Sequence, residues 1–163
     1  MHIHPVGTRA LLVELEDLSQ VMAWHAALDA NPLKDQVDAI AAATTLLLTF
    51  ATPNSAAAAA EKLQDFRPTA QAGEDPRFVE IDVLYDGEDL DEAAELMGMS
   101  REGLIDWHTS TEWLAAFGGF APGFTYCTPA DSAQNFNIER RATPRTAVPA
   151  GAVGIAGGFS AVY

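Results

Sequence analysis

The sequence predicts an α+β protein built from two units, a split β-α-β sandwich at the N-terminus and a β-rich unit after it. Three observations support this fold class. Strand-like and helix-like segments alternate through the first half, a polar stretch breaks the chain at residues 72–77, and glycine, proline and aromatic residues punctuate residues 118–157. We therefore expect one domain over residues 1–74 and a second over residues 78–163, with the polar stretch as linker.

The first unit has the element order of a ferredoxin-like sandwich. Its apolar spacing predicts two strands, a helix, two strands and a helix, over residues 2–7, 10–14, 17–30, 36–41, 44–51 and 52–66. Asn31-Pro32 ends the first helix, and Thr52 as cap with Pro53 at the first helical position begins the second. Residues 68–72 predict a closing strand.

The second unit begins with spaced apolar side chains, at Phe78, Ile81, Val83 and Tyr85. Helices are predicted over residues 89–97 and 100–109, the second capped by Ser100. Glycine, proline and aromatic residues then indicate β structure to the end of the sequence. Rigid turns on a β scaffold often carry small-molecule sites, although the same spacing also fits the plain turns of a barrel.

Composition excludes several classes of partner. Nine Lys and Arg residues stand against 23 Asp and Glu, giving a formal charge of −14. This argues against binding nucleic acid or an anionic membrane, since both need a basic face. A single cysteine, Cys127, excludes an internal disulfide and is typical of the reducing cytosol. With no secretory signal and no apolar run of roughly 18 residues, we expect a cytoplasmic protein.

Two motifs resemble one known family. Residues 119–126 are similar to Gly-Phe-x-Pro-Gly-Phe-x-Tyr, and residues 143–157 are similar to Thr-Pro-Arg-x-x-Val-Pro-Ala-Gly-Ser-Val-Gly-Ile-Ala-Gly. Both motifs belong to the family that comprises the B subunit of 5-oxoprolinase, allophanate hydrolase subunit 1 and KipI-like kinase inhibitors. The resemblance implies a cyclophilin-like β-barrel after the first domain. Family members usually continue beyond the equivalent of Tyr163, so we expect this barrel to lack its C-terminal strands.

The resemblance implies an amidohydrolase subunit that is inactive alone. It would work in ATP-dependent 5-oxoprolinase, which opens 5-oxo-L-proline to L-glutamate, together with a homologous cyclophilin-like C subunit and a third component, the A subunit. ATP, with magnesium, would be bound by the complex rather than by this chain alone. Two alternatives stay open: a KipI-like regulatory binder of a histidine kinase, and a carboxyltransferase-like component of urea or allophanate metabolism.

Two residues are candidates for catalysis. His108 ends a predicted helix and could transfer a proton near neutral pH, or simply favour the helix C-terminus; the resemblance favours a functional role. Arg145 could bind a substrate carboxylate or phosphate bidentately, or pair with this protein's own acids. The residues expected to bind substrate are Pro122, Gly123, Phe124, Arg141, Pro149, Ala150 and Gly151.

Other polar clusters have simpler interpretations. The acidic run at residues 86–92 fits a solvated helix start better than a cation site. His2 and His4 lack a third metal ligand, so we expect them to face solvent or a partner, and His25 to be packed. No phosphate loop, metal site or confident nucleophile triad is predicted.

This chain departs from the family pattern beside the presumed pocket. Ala152 stands where Ser is usual, Phe159-Ser160-Ala161 replaces Gln-Thr-Gly, and Cys127 replaces an apolar residue. These differences predict an altered substrate or a loss of catalysis.

Overall fold

The computed structural model describes residues 1–68 and 77–163, which fall into two compact units, residues 1–77 and 78–163. Each unit contains a four-stranded antiparallel sheet. Apart from Pro68, the predicted closing strand at 68–72 lies outside the described residues, as does most of the predicted linker.

The first unit contains four strands and two helices in the predicted order. They are β1 (His2–Val6), β2 (Ala10–Glu14), α1 (Leu18–Ala30), β3 (Gln36–Ala41), β4 (Thr45–Phe50) and α2 (Pro53–Gln64). The Asp17 carboxylate accepts a hydrogen bond from the Gln20 amide at 2.9 Å, so α1 begins one residue later than predicted. The predicted cap of α2 is confirmed, because the Thr52 hydroxyl accepts from the Ser55 amide at 3.1 Å.

The core of this unit lies on one face of its sheet. The strand order is β1-β2-β4-β3, and the predicted pairing of β3 with β4 is confirmed. Alternate residues of β2 and β4 are buried on the same face: Leu11, Val13, Leu46, Leu48 and Phe50. Helix α1 packs against β3 and β4, and α2 packs against β2 and β4. Hydrophobic residues with a period of two therefore fix the strand register.

The second unit pairs two helices with a second sheet. Its elements are α3 (Leu90–Leu96), α4 (Arg101–Ser110), β5 (Trp113–Gly118), β6 (Thr125–Pro129), β7 (Val153–Ala156) and β8 (Phe159–Val162), with a short 3-10 helix at Ser132–Gln134. The sheet order is β5-β6-β8-β7. Ser100 caps α4 as predicted, accepting from the Gly103 amide at 3.0 Å. Residues 77–88 form neither helix nor strand.

The β structure predicted for the end of the sequence is confirmed, but its closure into a barrel is not. Within the described part of this unit the sheet is open, with β5 and β7 as its edges. A barrel requires its edge strands to be joined through further pairing, and residues 135–152, between β6 and β7, contain no strand. Separately, none of the helices in the described ranges is long and apolar enough to cross a membrane.

Replacing Leu48 by alanine should destabilise the first unit by about 2–5 kcal/mol, since this side chain is 0% exposed and its loss leaves a cavity. Leu47→Ala is the matched control, because Leu47 is half-buried on the opposite face of β4. Amide hydrogen exchange of β2 and β4 peptides reports this unit alone. Equal protection in the two variants would contradict the one-sided core.

Candidate functional site

His108 lies in the last turn of α4, where its ring joins two other parts of the second unit. The Nδ1 atom is 2.6 Å from the Tyr85 hydroxyl, which lies in the segment 77–88. The Nε2 atom is 3.3 Å from the Ser160 hydroxyl on β8. Ser160 is buried at 5% exposure. The predicted candidate His108 is therefore the centre of a three-residue chain of polar side chains.

Aromatic rings lie next to the His108 ring at the centre of these three side chains. The His108 ring centroid is 5.0 Å from that of Trp113 and 6.1 Å from that of Trp107. The Trp113 indole nitrogen also donates to the His108 carbonyl at 3.1 Å. Burial lowers the pKa of His108 and raises the pKa of Tyr85. At neutral pH the imidazole is therefore neutral and the phenol keeps its proton.

Sequence reasoning does not assign a role to Tyr85 or Ser160. The pattern places the first with the apolar residues that open the unit, and the second stands out only as a departure from the family pattern. Their contacts with His108 span 23 and 52 residues. The one available signal is that Ser160 keeps a hydroxyl where the family usually has threonine.

The candidate arginines lie against the acidic run. The Arg145 guanidinium binds both carboxylate oxygens of Asp89, at 2.7 and 3.1 Å, and Arg141 binds Asp89 at 2.8 Å and Glu92 at 2.9 Å. Glu88 lies 3.3 Å from Arg145. The hydrogen bond from Arg145 lowers the pKa of Asp89. In this structure both guanidinium groups are thus paired with the protein's own acids, one of the two interpretations of the sequence.

The first glycine-proline motif forms a tight turn before β6. The Phe124 amide donates to the Ala121 carbonyl at 3.0 Å, with Pro122 and Gly123 between them. Gly123 has φ +82°, the value that the third position of a type II turn requires and that glycine adopts without strain. The turn leaves Pro122 exposed and buries the Phe124 side chain, which is 8% exposed.

The second motif makes an equivalent turn. The Ala152 amide donates to the Pro149 carbonyl at 3.1 Å, and Gly151, between them, has φ +83°. Tyr163 connects the two turns: its carbonyl accepts from the Gly151 amide at 2.6 Å, and its ring centroid lies 5.0 Å from that of Phe124. The structure therefore brings the two predicted pocket loops together, although they are distant in sequence.

The remaining candidates play structural roles. His25 is half-buried with Nε2 3.0 Å from the Ala39 carbonyl, so the prediction that it packs is confirmed. His2 and His4 are exposed, as expected. Burial raises the pKa of Cys127, which keeps its sulfur as a thiol. Among the residues that the structure describes, no group of three or more side chains could hold a metal ion.

Acidification should destabilise the second unit through His108. Because burial lowers its folded pKa, the unfolded chain takes up a proton first as the pH falls through about 6.5. The contribution of His108 to the free energy of unfolding is complete above about pH 6.5. It is lost as the pH falls from there to the lower pKa that His108 has in the folded protein. Urea unfolding between about pH 7.5 and about pH 5.5 should show a smaller loss for His108→Gln than for the wild type. Equal slopes for His108→Gln and the wild type would disprove the idea.

Gly151→Ala should destabilise the second unit by about 1–2 kcal/mol, because an L side chain is strained at positive φ. Gly87→Ala is the control: its backbone is outside the left-handed region and the added Cβ meets nothing within 4 Å. Thermal unfolding of both variants, with exchange of β7 and β8 amides, measures the difference. A tolerated Gly151→Ala would be inconsistent with the type II turn.

Comparisons with known proteins identify relatives of this chain. A family model described as carboxyltransferase domain, subdomain C and D, matches residues 1–163. The 5-oxoprolinase B subunit of Escherichia coli O157:H7 is 35% identical over 97% of this chain and 76% of its own length. A protein of the same name from Bacillus subtilis (strain 168) is 42% identical over 53% of this chain, which is 37% of its own length.

A solved structure is also similar. The crystal structure of TTHA0988 in space group P212121 aligns with a TM-score of 0.69 and 29% identity over 95% of this chain. The aligned region is 32% of that protein, so this chain spans about a third of it. Because the family model and the Escherichia coli relative cover nearly every residue, the resemblance drawn from the motifs is confirmed. The chain belongs to the family of the carboxyltransferase domain, subdomains C and D, whose members similar to it include proteins named as the B subunit of 5-oxoprolinase.

Proposed function

We propose that this chain is a subunit of a 5-oxoprolinase, a hydrolase complex that opens 5-oxo-L-proline to L-glutamate. The observation that carries the proposal is the 35% identity to a 5-oxoprolinase B subunit over 97% of the chain. The half-buried, hydrogen-bonded His108 supports it, because a titratable group held among aromatic rings, with a perturbed pKa, is an arrangement typical of acid–base sites. The relatives are named as one subunit of an enzyme, which supports the proposal that this chain works in a complex.

The architecture fits this assignment. The order β1-β2-β4-β3, with both helices packed on the sheet, supports a ferredoxin-like first domain. In this domain β1 occupies the edge of the sheet beside β2. We infer that the open sheet of the second unit is part of a cyclophilin-like barrel. Two partners, a homologous cyclophilin-like C subunit and an A subunit, would then complete the enzyme in the cytoplasm.

We assign His108 to proton transfer or orientation at the lactam, and Arg145, helped by Arg141, to the substrate carboxylate. The bidentate bond between Arg145 and Asp89 supports the second role, since the same fork geometry suits a ligand carboxylate. These pairs are exposed and therefore weak, so a substrate can replace Asp89 at modest cost. The turns at 122–124 and 149–151 would shape the pocket wall.

ATP would supply the energy for breaking the stable lactam amide. The described residues of this chain do not fit ATP with magnesium by themselves. Glu88, Asp89 and Glu92 lie around the two guanidinium groups, and these carboxylates would repel a triphosphate, which carries several negative charges, far more than a single substrate carboxylate. We therefore place the nucleotide in the complex rather than on this chain alone.

Arg145→Ala should lower kcat/KM for 5-oxoproline by about ten- to hundredfold, mainly through KM, because one charged hydrogen-bonding partner of the substrate is lost. The measurement is 5-oxoproline-dependent ATP hydrolysis by this chain mixed with its two candidate partners. Arg67→Ala is the control: it removes the same charge from the first unit, where Arg67 bonds only to backbone carbonyls among the described residues.

Each component of the mixture is also omitted in turn. Turnover that does not need this chain would overturn the proposed function, and full activity of Arg145→Ala would overturn the role of that residue. A complex that forms without turnover would favour the regulatory alternative.

A further inference from the structure

The two hydrogen bonds that link Tyr85, His108 and Ser160 run in one direction, which their geometry determines. A phenol O–H is a stronger donor than an imidazole N–H, and an unprotonated imidazole nitrogen is a stronger acceptor than a phenol oxygen; the contact between the Tyr85 oxygen and Nδ1 is short, at 2.6 Å. The Tyr85 hydroxyl therefore donates to Nδ1. A neutral imidazole carries one proton, so that proton is on Nε2, which donates to the Ser160 hydroxyl at 3.3 Å. The Ser160 O–H is then free to donate onward.

The groups near the His108 ring favour the tautomer with its proton on Nε2. Cys127 on β6 lies opposite Ser160, so their side chains share a face of the sheet, and burial keeps the thiol protonated. Arg101 on α4 donates to the Tyr85 carbonyl at 3.3 Å, which fixes the backbone of that residue. Trp107 and Trp113 complete the surroundings. In the described ranges no carboxylate bonds to the His108 ring, so no anion holds an imidazolium there.

We propose that Tyr85 and Ser160 are positioning residues that hold His108 as the neutral Nε2–H tautomer, so that it acts as a hydrogen-bond donor relayed through Ser160 rather than as an imidazolium acid. A neutral imidazole can polarise a carbonyl oxygen without changing its own charge. The tautomer is a property of this chain alone, and only its catalytic consequence rests on the proposed function.

The tautomer is measured by histidine 15N–1H correlation spectra of the 15N-labelled chain between about pH 5 and about pH 8. In its neutral form His108 should show the Nε2–H pattern, which is also the tautomer expected of neutral His25, whose Nε2 donates to the Ala39 carbonyl at 3.0 Å. His108→Gln assigns the signal. Tyr85→Phe should convert His108 to a mixture of tautomers, whereas Tyr126→Phe, on the opposite face of the sheet, should leave it unchanged.

A second readout uses the reconstituted enzyme. Tyr85→Phe should lower kcat about tenfold or more with little change in KM, and Ser160→Thr should restore activity that Ser160→Ala loses. An Nδ1–H tautomer in the wild type, or a tautomer unaffected by Tyr85→Phe, would overturn the inference. If turnover requires this chain but Tyr85→Phe matches the wild type, the catalytic consequence fails while the proposed function survives. If turnover does not require the chain, the spectra still decide the tautomer.

Discussion

The placement of the half-buried His108 imidazole among indole rings is the constraint around which the second unit is arranged. An imidazole in that position loses much of its contact with water, so hydrogen-bond partners within the protein stabilise both of its nitrogens. Tyr85 and Ser160 provide them, from a segment with no regular structure and from a central strand of the sheet. The bond to Tyr85, with that from Arg101 to the Tyr85 carbonyl, attaches residues 77–88 to α4. Two side chains of α4, those of His108 and Arg101, thus hold a stretch that forms neither helix nor strand.

The signature loop is held in a different way. Residues 135–152 contain no strand, and their fixed points are the buried Ile138, whose carbonyl accepts from the Gly157 amide at 2.7 Å, and the ion pairs of Arg141 and Arg145 with the start of α3. Exposed ion pairs contribute little free energy because water and salt screen them. The charged groups of the loop are therefore held weakly, as the proposed exchange of Asp89 for a substrate carboxylate requires.

Local signals predict most of the elements, and non-local contacts explain what they miss. Thr52-Pro53 and Ser100 identify their helix starts because a cap acts on the next three residues. Glycines at positions 123 and 151 identify the turns, since few other residues adopt positive φ. The pairing of β6 with β8 brings together Cys127 and Ser160, which no local pattern encodes. For the same reason the sequence pattern presents Tyr85 only as an apolar residue.

The departures from the family pattern can be weighed by what each side chain does. At position 152 only the backbone is used: the amide of Ala152 bonds Pro149 and its carbonyl accepts from Tyr163. Phe159 packs against Phe117, with ring centroids 5.4 Å apart, on the face of the sheet opposite Ser160. Ser160 itself keeps the hydroxyl that His108 requires. The substitutions thus preserve both the turn and the hydrogen bonds of His108, which argues against a lost scaffold.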